Sequence, residues 1–147
     1  PGVKLRAVVE YFSGNFSRFL GLMKVNTQAH TVLTQLKKAG LKIGCITNSH
    51  RQITQRELRS AHLKHLIDVI ITADDVKKPK PDPEMLLKAC RKLGVKTSEI
   101  IFIGDTPTDL KTANSARCIF IGYRIRTMLN IKNLEDLLPL IKRKFSL

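Results

Sequence analysis

Apolar and polar positions alternate along this chain in blocks that predict buried strands separated by amphipathic helices. Short apolar runs, typical of strands covered on both faces, occupy residues 41–47, 67–72, 100–103 and 118–122. Apolar residues at the three-and-four spacing of a helix occupy 29–39, 51–63, 84–93 and 133–145, and a further helix begins near Asp109. This alternation predicts an α/β fold, a Rossmann-like parallel sheet flanked by helices.

The first 25 residues allow two interpretations. Leu5, Val8, Val9 and Phe12 begin a helical apolar spacing that continues to residue 23, which predicts a helix over 5–23. The alternative is a strand over 5–12 that ends in a turn at residues 13–14. We prefer the helix because of its period, and therefore divide the chain into a helical segment, 1–25, and an α/β core, 26–147.

Length and composition indicate one globular domain. A chain of 147 residues, 43% of them hydrophobic, is long enough for one core, and no apolar run approaches the roughly 20 residues that span a bilayer. No export signal is recognised, so we expect a soluble, cytoplasmic protein without membrane contact. Three cysteines without CxxC spacing predict free thiols rather than a disulfide or zinc site: Cys45, Cys90 and Cys118.

The charge is strongly basic. The chain has 26 Lys and Arg against 12 Asp and Glu, a formal net charge of +14, at which nucleic acid or another polyanion becomes a possible partner. These basic residues are spread along the predicted helices, so we prefer solvated helix faces as the explanation. No pattern indicates an oligomeric state. The acidic residues are unevenly distributed, since the first Asp of the chain is Asp68.

Two carboxylates follow the apolar run 100–103. Asp105 stands directly after Gly104, and Asp109 follows a turn of Thr-Pro-Thr. Ligands of open α/β sheets lie beyond the carboxyl ends of the strands, where paired carboxylates suit a hard cation such as Mg²⁺. The residues alone leave another interpretation open, in which one Asp caps the helix and the other binds a lysine.

Two further polar groups follow predicted strands. Thr47 and Asn48 end the run 41–47, and the sequence KKPKPDP after the run 67–72 carries Lys78 and Lys80. Its prolines exclude a helix interior and predict an extended loop. A hydroxyl, an amide and an ammonium at adjacent strand ends would converge on an anion such as phosphate.

Together these three groups resemble the motifs of the haloacid dehalogenase superfamily of phosphohydrolases. The resemblance implies that Thr47, with Asn48 beside it, binds a phosphoryl oxygen and that Asp105 and Asp109 hold magnesium. It further implies a phosphatase of small phosphorylated metabolites, similar to the phosphoglycolate phosphatase type. For the catalytic lysine we choose Lys78, because it heads KPxPD, and we expect Lys80 to be solvated, although their spacing alone excludes neither.

The family's first motif, DxD, is absent. In the family its first Asp closes the first strand and takes the phosphoryl group, but no Asp precedes Asp68 here. One hypothesis is a fragment, with residues 1–25 at the end of a helical cap and the sheet incomplete on its N-terminal side. The other is a capless, noncatalytic binding or scaffold protein in which Tyr11 and Ser13 replace the two acids. The helical period favours the fragment.

Overall fold

A parallel sheet forms the centre of the protein. The computed structural model describes residues 4–11 and 23–145, without the side chains of residues 10, 11 and 23–27. The described residues form a six-stranded parallel sheet of order β3-β2-β1-β4-β5-β6. Its strands are β1 (Ala7–Tyr11), β2 (Lys42–Ile46), β3 (Val69–Ile71), β4 (Ile100–Gly104), β5 (Ile119–Tyr123) and β6 (Asn130–Ile131). The α/β fold with a parallel sheet is confirmed.

Helices cover both faces of this sheet. They are α1 (Met23–Lys38), α2 (Arg51–Ser60), α3 (Glu84–Leu93), α4 (Pro107–Ala116) and α5 (Leu137–Lys144). Buried side chains of α1, α2 and α5 pack on one face, and those of α3 and α4 on the other. The sheet is therefore buried on both sides, which explains its unbroken apolar strands.

The predicted helix over 5–23 is wrong for residues 7–11. These residues form β1, which pairs with β2 on one side and β4 on the other. Ala7, Val8 and Val9 are fully buried, as a central strand requires, and their side chains divide between the two apolar cores. The gap in the middle of the sheet that the fragment hypothesis implied is thus occupied. Residues 12–22 of that predicted helix lie outside the described residues.

The register brings the carboxyl ends of four strands to one level. Tyr11 pairs with Ile46, which in turn pairs with Ile71, and on the other side Glu10 pairs with Ile103. The residues that follow β2 and β4 therefore lie together at the carboxyl end of the sheet, which we call its carboxyl edge. Among the described residues, no helix is long and apolar enough to cross a membrane.

Candidate phosphoryl-binding site

Thr47 stands immediately after β2 at this edge. Its side chain is buried, and its backbone N–H donates to Ile71 O at 3.0 Å, which continues the pairing of β2 and β3. The Thr47 hydroxyl oxygen accepts the backbone N–H of Ser49 at 3.1 Å. This bond occupies the hydroxyl as an acceptor and leaves its proton to be donated to an anion.

Asn48 holds the next loop against the end of β2. Its side-chain oxygen accepts the backbone N–H of Lys80 at 3.0 Å, and its side-chain nitrogen donates to the Lys80 carbonyl at 3.1 Å. The predicted role of Asn48 was phosphate binding. In the structure its side-chain amide fixes the backbone of Lys80 and so positions that lysine, while the phosphate-binding role stays a prediction.

Lys80 is buried and forms an ion pair with Asp109. Its Nζ donates to Asp109 Oδ1 at 2.7 Å, and the two side chains are 2% and 0% exposed. Burial lowers the pKa of Lys80, and the charge and hydrogen bond of Asp109 oppose that shift. The expectation that Lys80 is solvated is wrong, because the Asn48 contacts turn its side chain inward.

Lys78 lies on the surface of the same loop. Lys78 is exposed, and its backbone N–H donates to Glu84 Oε2 at 2.9 Å. With Lys77 and Lys111 it lines an open groove of about 720 Å³ between this loop and α4. The structure gives the buried position beside Asp109 to Lys80 rather than to the predicted Lys78.

Asp109 has a structural task in addition to its bond with Lys80. Its Oδ2 accepts the Thr106 hydroxyl at 2.7 Å and the backbone N–H groups of Thr106 and Asp105 at 3.2 and 3.3 Å. Asp109 N in turn donates to the Thr106 hydroxyl, which completes a capping box at the start of α4. Both carboxylate oxygens therefore have hydrogen-bond donors in the structure, and the role of Asp109 as a magnesium ligand stays a prediction.

Asp105 presents the carboxylate that fits a cation. Its Oδ1 is buried and has no hydrogen-bond partner among the described residues. Burial and the charge of Asp109 raise the pKa of Asp105, and a divalent cation would relieve both effects. No group of three or more His, Cys, Asp or Glu suited to a metal occurs in the described part of the chain. Asp105 thus offers a cation such as magnesium one unpartnered carboxylate oxygen, with other positions left to water or substrate.

Gly104 allows these groups to approach. A Cβ at this position would lie 2.3 Å from the Cβ of Asp109 and 2.7 Å from its Cγ. Any side chain here would therefore push the start of α4 away from β4. Glycine is required so that Asp109 reaches Lys80.

One sequence signal for Lys80 was overlooked. The pattern KPxP occurs twice in overlap, once headed by Lys78 and once by Lys80. In the second occurrence the last proline is Pro83, the residue directly before α3. A choice between the two lysines needed the Asn48 contacts, which no linear pattern contains.

The central strand ends in Tyr11. This residue pairs with Ile46 and so stands beside the start of the loop that carries Thr47. By the resemblance to the haloacid dehalogenase superfamily, the nucleophilic Asp of the first motif would stand at this strand end, and that correspondence stays a prediction. Ser13, the other position of the noncatalytic hypothesis, lies outside the described residues.

Comparisons with known proteins identify the family. The family model described as "Haloacid dehalogenase-like hydrolase" matches residues 3–123. Pyrophosphatase PpaX of Bacillus cereus (strain AH820) is 29% identical over 147 aligned residues, which cover 91% of this chain and 67% of the relative. Pyrophosphatase PpaX of Bacillus mycoides (strain KBAB4) is 30% identical over 78% of this chain and 58% of the relative. The chain thus spans between about half and two thirds of these curated relatives.

The fold also matches solved structures. The crystal structure of a haloacid dehalogenase-superfamily hydrolase from Ehrlichia chaffeensis superposes with a TM-score of 0.80, at 20% identity, over 95% of this chain and 98% of that one. This structural similarity supports the α/β architecture described above, and the family model supports common descent with the haloacid dehalogenase-like hydrolases. The chain belongs to the haloacid dehalogenase-like hydrolase family.

Proposed function

We propose that this chain carries the core of a magnesium-dependent phosphohydrolase that acts on a small phosphorylated molecule. The observation that supports this proposal is the buried Lys80–Asp109 pair, fixed by Asn48 at the sheet edge where Thr47 and Asp105 also stand. A phosphoryl group in transfer carries negative charge on three oxygens, and cations with fixed donors stabilise it. The relatives named pyrophosphatases make phosphate chemistry the natural class.

Each residue has a distinct part in this proposal. Thr47 donates its hydroxyl proton to one phosphoryl oxygen, and the Lys80 ammonium, held by Asp109, offers its positive charge to another. Asp105 would hold magnesium, which supplies charge neutralisation of the phosphoryl oxygens when bound. Asn48 and Asp109 position the lysine and do not contact the substrate.

Hydrolysis further requires a nucleophile at the end of the central strand. The family places a carboxylate there, and Tyr11 does not supply one. This chain should therefore bind phosphate without hydrolysing it. Because β1 with Tyr11 already fills the central position, a noncatalytic phosphate-binding protein is the second candidate function.

Phosphate binding tests the site itself. We expect inorganic phosphate with magnesium to shift the amide NMR signals of Thr47, Lys80 and Asp105, and Asp105→Asn to remove the magnesium dependence. Lys80→Met should weaken binding by roughly tenfold or more, because it removes the buried ammonium. Lys78→Met is the matched control and should bind like the parent. Equal losses in the two lysine variants would contradict the assignment of Lys80.

A second experiment separates the two candidate functions. The double variant Tyr11→Asp with Ser13→Asp restores the two acids. The helix predicted over 5–23 implied that this variant stays inactive, whereas a strand at 7–11 puts position 11 at the site. We now expect slow, magnesium-dependent hydrolysis of an aryl phosphate that Asp105→Asn abolishes. A double variant that binds phosphate but never hydrolyses it would favour the noncatalytic function.

A further inference from the structure

A second cationic feature lies away from the candidate site. Four residues line a depression of about 400 Å³, two of them cationic and two with imidazole rings: Arg59, Lys64, His62 and His65. We name this feature the cationic depression. Arg59, His62 and His65 are exposed and Lys64 is half-buried, so their polar groups are available to a ligand.

The fold gathers these residues from one short stretch. Helix α2 ends at Ser60, and His62 then adopts a left-handed conformation with φ of 56°, which turns the chain sharply. The short 3-10 helix Lys64–Leu66 follows. Leu63 and Leu66 point into the core, and the basic residues between and before them face outward. Along the sequence these basic residues are not clustered more than elsewhere. The turn at His62 brings them together on one side of the protein.

An imidazole pair borders the cationic depression. The rings of His30, on α1, and His65 have centroids 5.7 Å apart and an interplanar angle of 47°. Both residues are exposed. Such rings offer flat faces on which unpaired bases stack, next to cations that suit the phosphates between those bases. A cluster with Arg59 and Lys64 is also a poor site for a metal cation, since like charges repel it.

The acidic residue next along the chain does not neutralise this cluster. Asp68 receives a hydrogen bond of 2.6 Å from Lys37 Nζ, and its other oxygen accepts the Ile43 N–H at 2.7 Å. The net charge of +14 adds a long-range attraction for any polyanion. The depression therefore combines local and overall positive charge.

We propose that the cationic depression, with His30 beside it, binds single-stranded nucleic acid. Arg59 and Lys64 contact successive phosphates, and the His30 and His65 rings carry a base. The loop after α2 leads into the amino end of β3, the sheet edge opposite Thr47 and Asp105. Nucleic acid bound there leaves the phosphoryl-binding site open, so the two activities are independent.

Fluorescence anisotropy with a labelled single-stranded RNA of about 12 nucleotides tests this proposal. Arg59→Ala with Lys64→Ala should weaken binding roughly tenfold at low salt and reduce the slope of log K against log salt by about 1.4, since each phosphate contact contributes about 0.7. The charge-matched control, Lys77→Ala with Lys111→Ala, removes two lysines from the other groove and should change affinity less than about twofold. His30→Ala with His65→Ala should weaken binding without changing the salt slope.

Three results would overturn the proposal. Equal losses in the two charge-matched variants would show attraction by overall charge alone. An unchanged salt slope in Arg59→Ala with Lys64→Ala would remove these residues from the contact. Displacement of the RNA by tripolyphosphate at the same phosphate concentration would indicate a site for free phosphate instead. Phosphate-induced NMR shifts at Thr47 and Asp105 should be unaltered in every variant, which keeps this test separate from that of the proposed function.

Discussion

Replacement of Lys80 by methionine tests the central feature of the site, the buried ion pair. Methionine is apolar and of similar length, so the variant removes the ammonium. The Asp109 carboxylate, which is 0% exposed, is then left without its cation. Removing one partner of a buried pair typically costs about 3–5 kcal/mol. The stability of a whole domain is only about 5–15 kcal/mol. We therefore expect this single buried substitution to remove a large part of the free energy of unfolding.

The assay is equilibrium unfolding in urea at neutral pH, supported by thermal melting. A loss of about 3–5 kcal/mol corresponds to a fall of about 10 °C or more in the midpoint for a chain of this size. Lys78→Met is the matched control, because it makes the same substitution at an exposed lysine of the same loop. Its free energy of unfolding should lie within about 0.5 kcal/mol of the parent.

A double variant then separates the ion pair from general damage to the loop. In Lys80→Met with Asp109→Asn neither member of the pair remains as an unpaired charge, and the asparagine oxygen can still accept from Thr106. We expect this variant to recover a substantial part of the stability lost in Lys80→Met alone, as a positive coupling energy. The ion-pair interpretation would be refuted if the losses of Lys80→Met and Asp109→Asn simply added up in the double variant. Equal stability of Lys78→Met and Lys80→Met would also refute it.

Three further predictions concern other parts of the fold. Gly104→Ala should destabilise the protein by at least about 1–3 kcal/mol in urea unfolding, because its Cβ would lie 2.3 Å from that of Asp109; a neutral effect would contradict the close approach. Burial opposes ionisation of Asp75, but hydrogen bonds from Arg51 and Thr72 lower its pKa from 3.8 to about 2. Its contribution to stability is therefore present above pH 4 and lost as the pH falls towards 2, and Asp75→Asn should flatten acid unfolding in that window. Burial raises the pKa of the Cys90 and Cys118 thiols to about 11 and about 12, so a thiol reagent at neutral pH should modify them far more slowly in the native protein than in urea, and equal rates would contradict their burial.

The sequence by itself determined the alternation of strands and helices and the polar residues that follow β2 and β4. These features depend on local patterns: apolar runs too short for helices, proline and glycine at element ends, and the Thr-Pro-Thr turn before Asp109. They were sufficient to predict the α/β class and a site at the carboxyl edge of the sheet. The strand β6 was missed, because two residues provide no recognisable pattern.

Only the tertiary structure decided the element at residues 7–11. Val8, Val9 and their apolar neighbours satisfy both a helical spacing and a short strand, and a local pattern does not distinguish them. Pairing with β2 and β4 on both sides, with Ala7, Val8 and Val9 fully buried, decided in favour of the strand. The deciding contacts lie far apart along the chain.

The choice between Lys78 and Lys80 has the same physical origin. The two lysines share one loop and one motif, and their chemistry is identical. Asn48, 32 residues before Lys80, fixes the backbone so that this ammonium meets Asp109, 29 residues after it. The sequence determined which residue types reach the edge of the sheet, and long-range packing determined which lysine is buried there, because burial of a charge depends on the partner that the fold supplies.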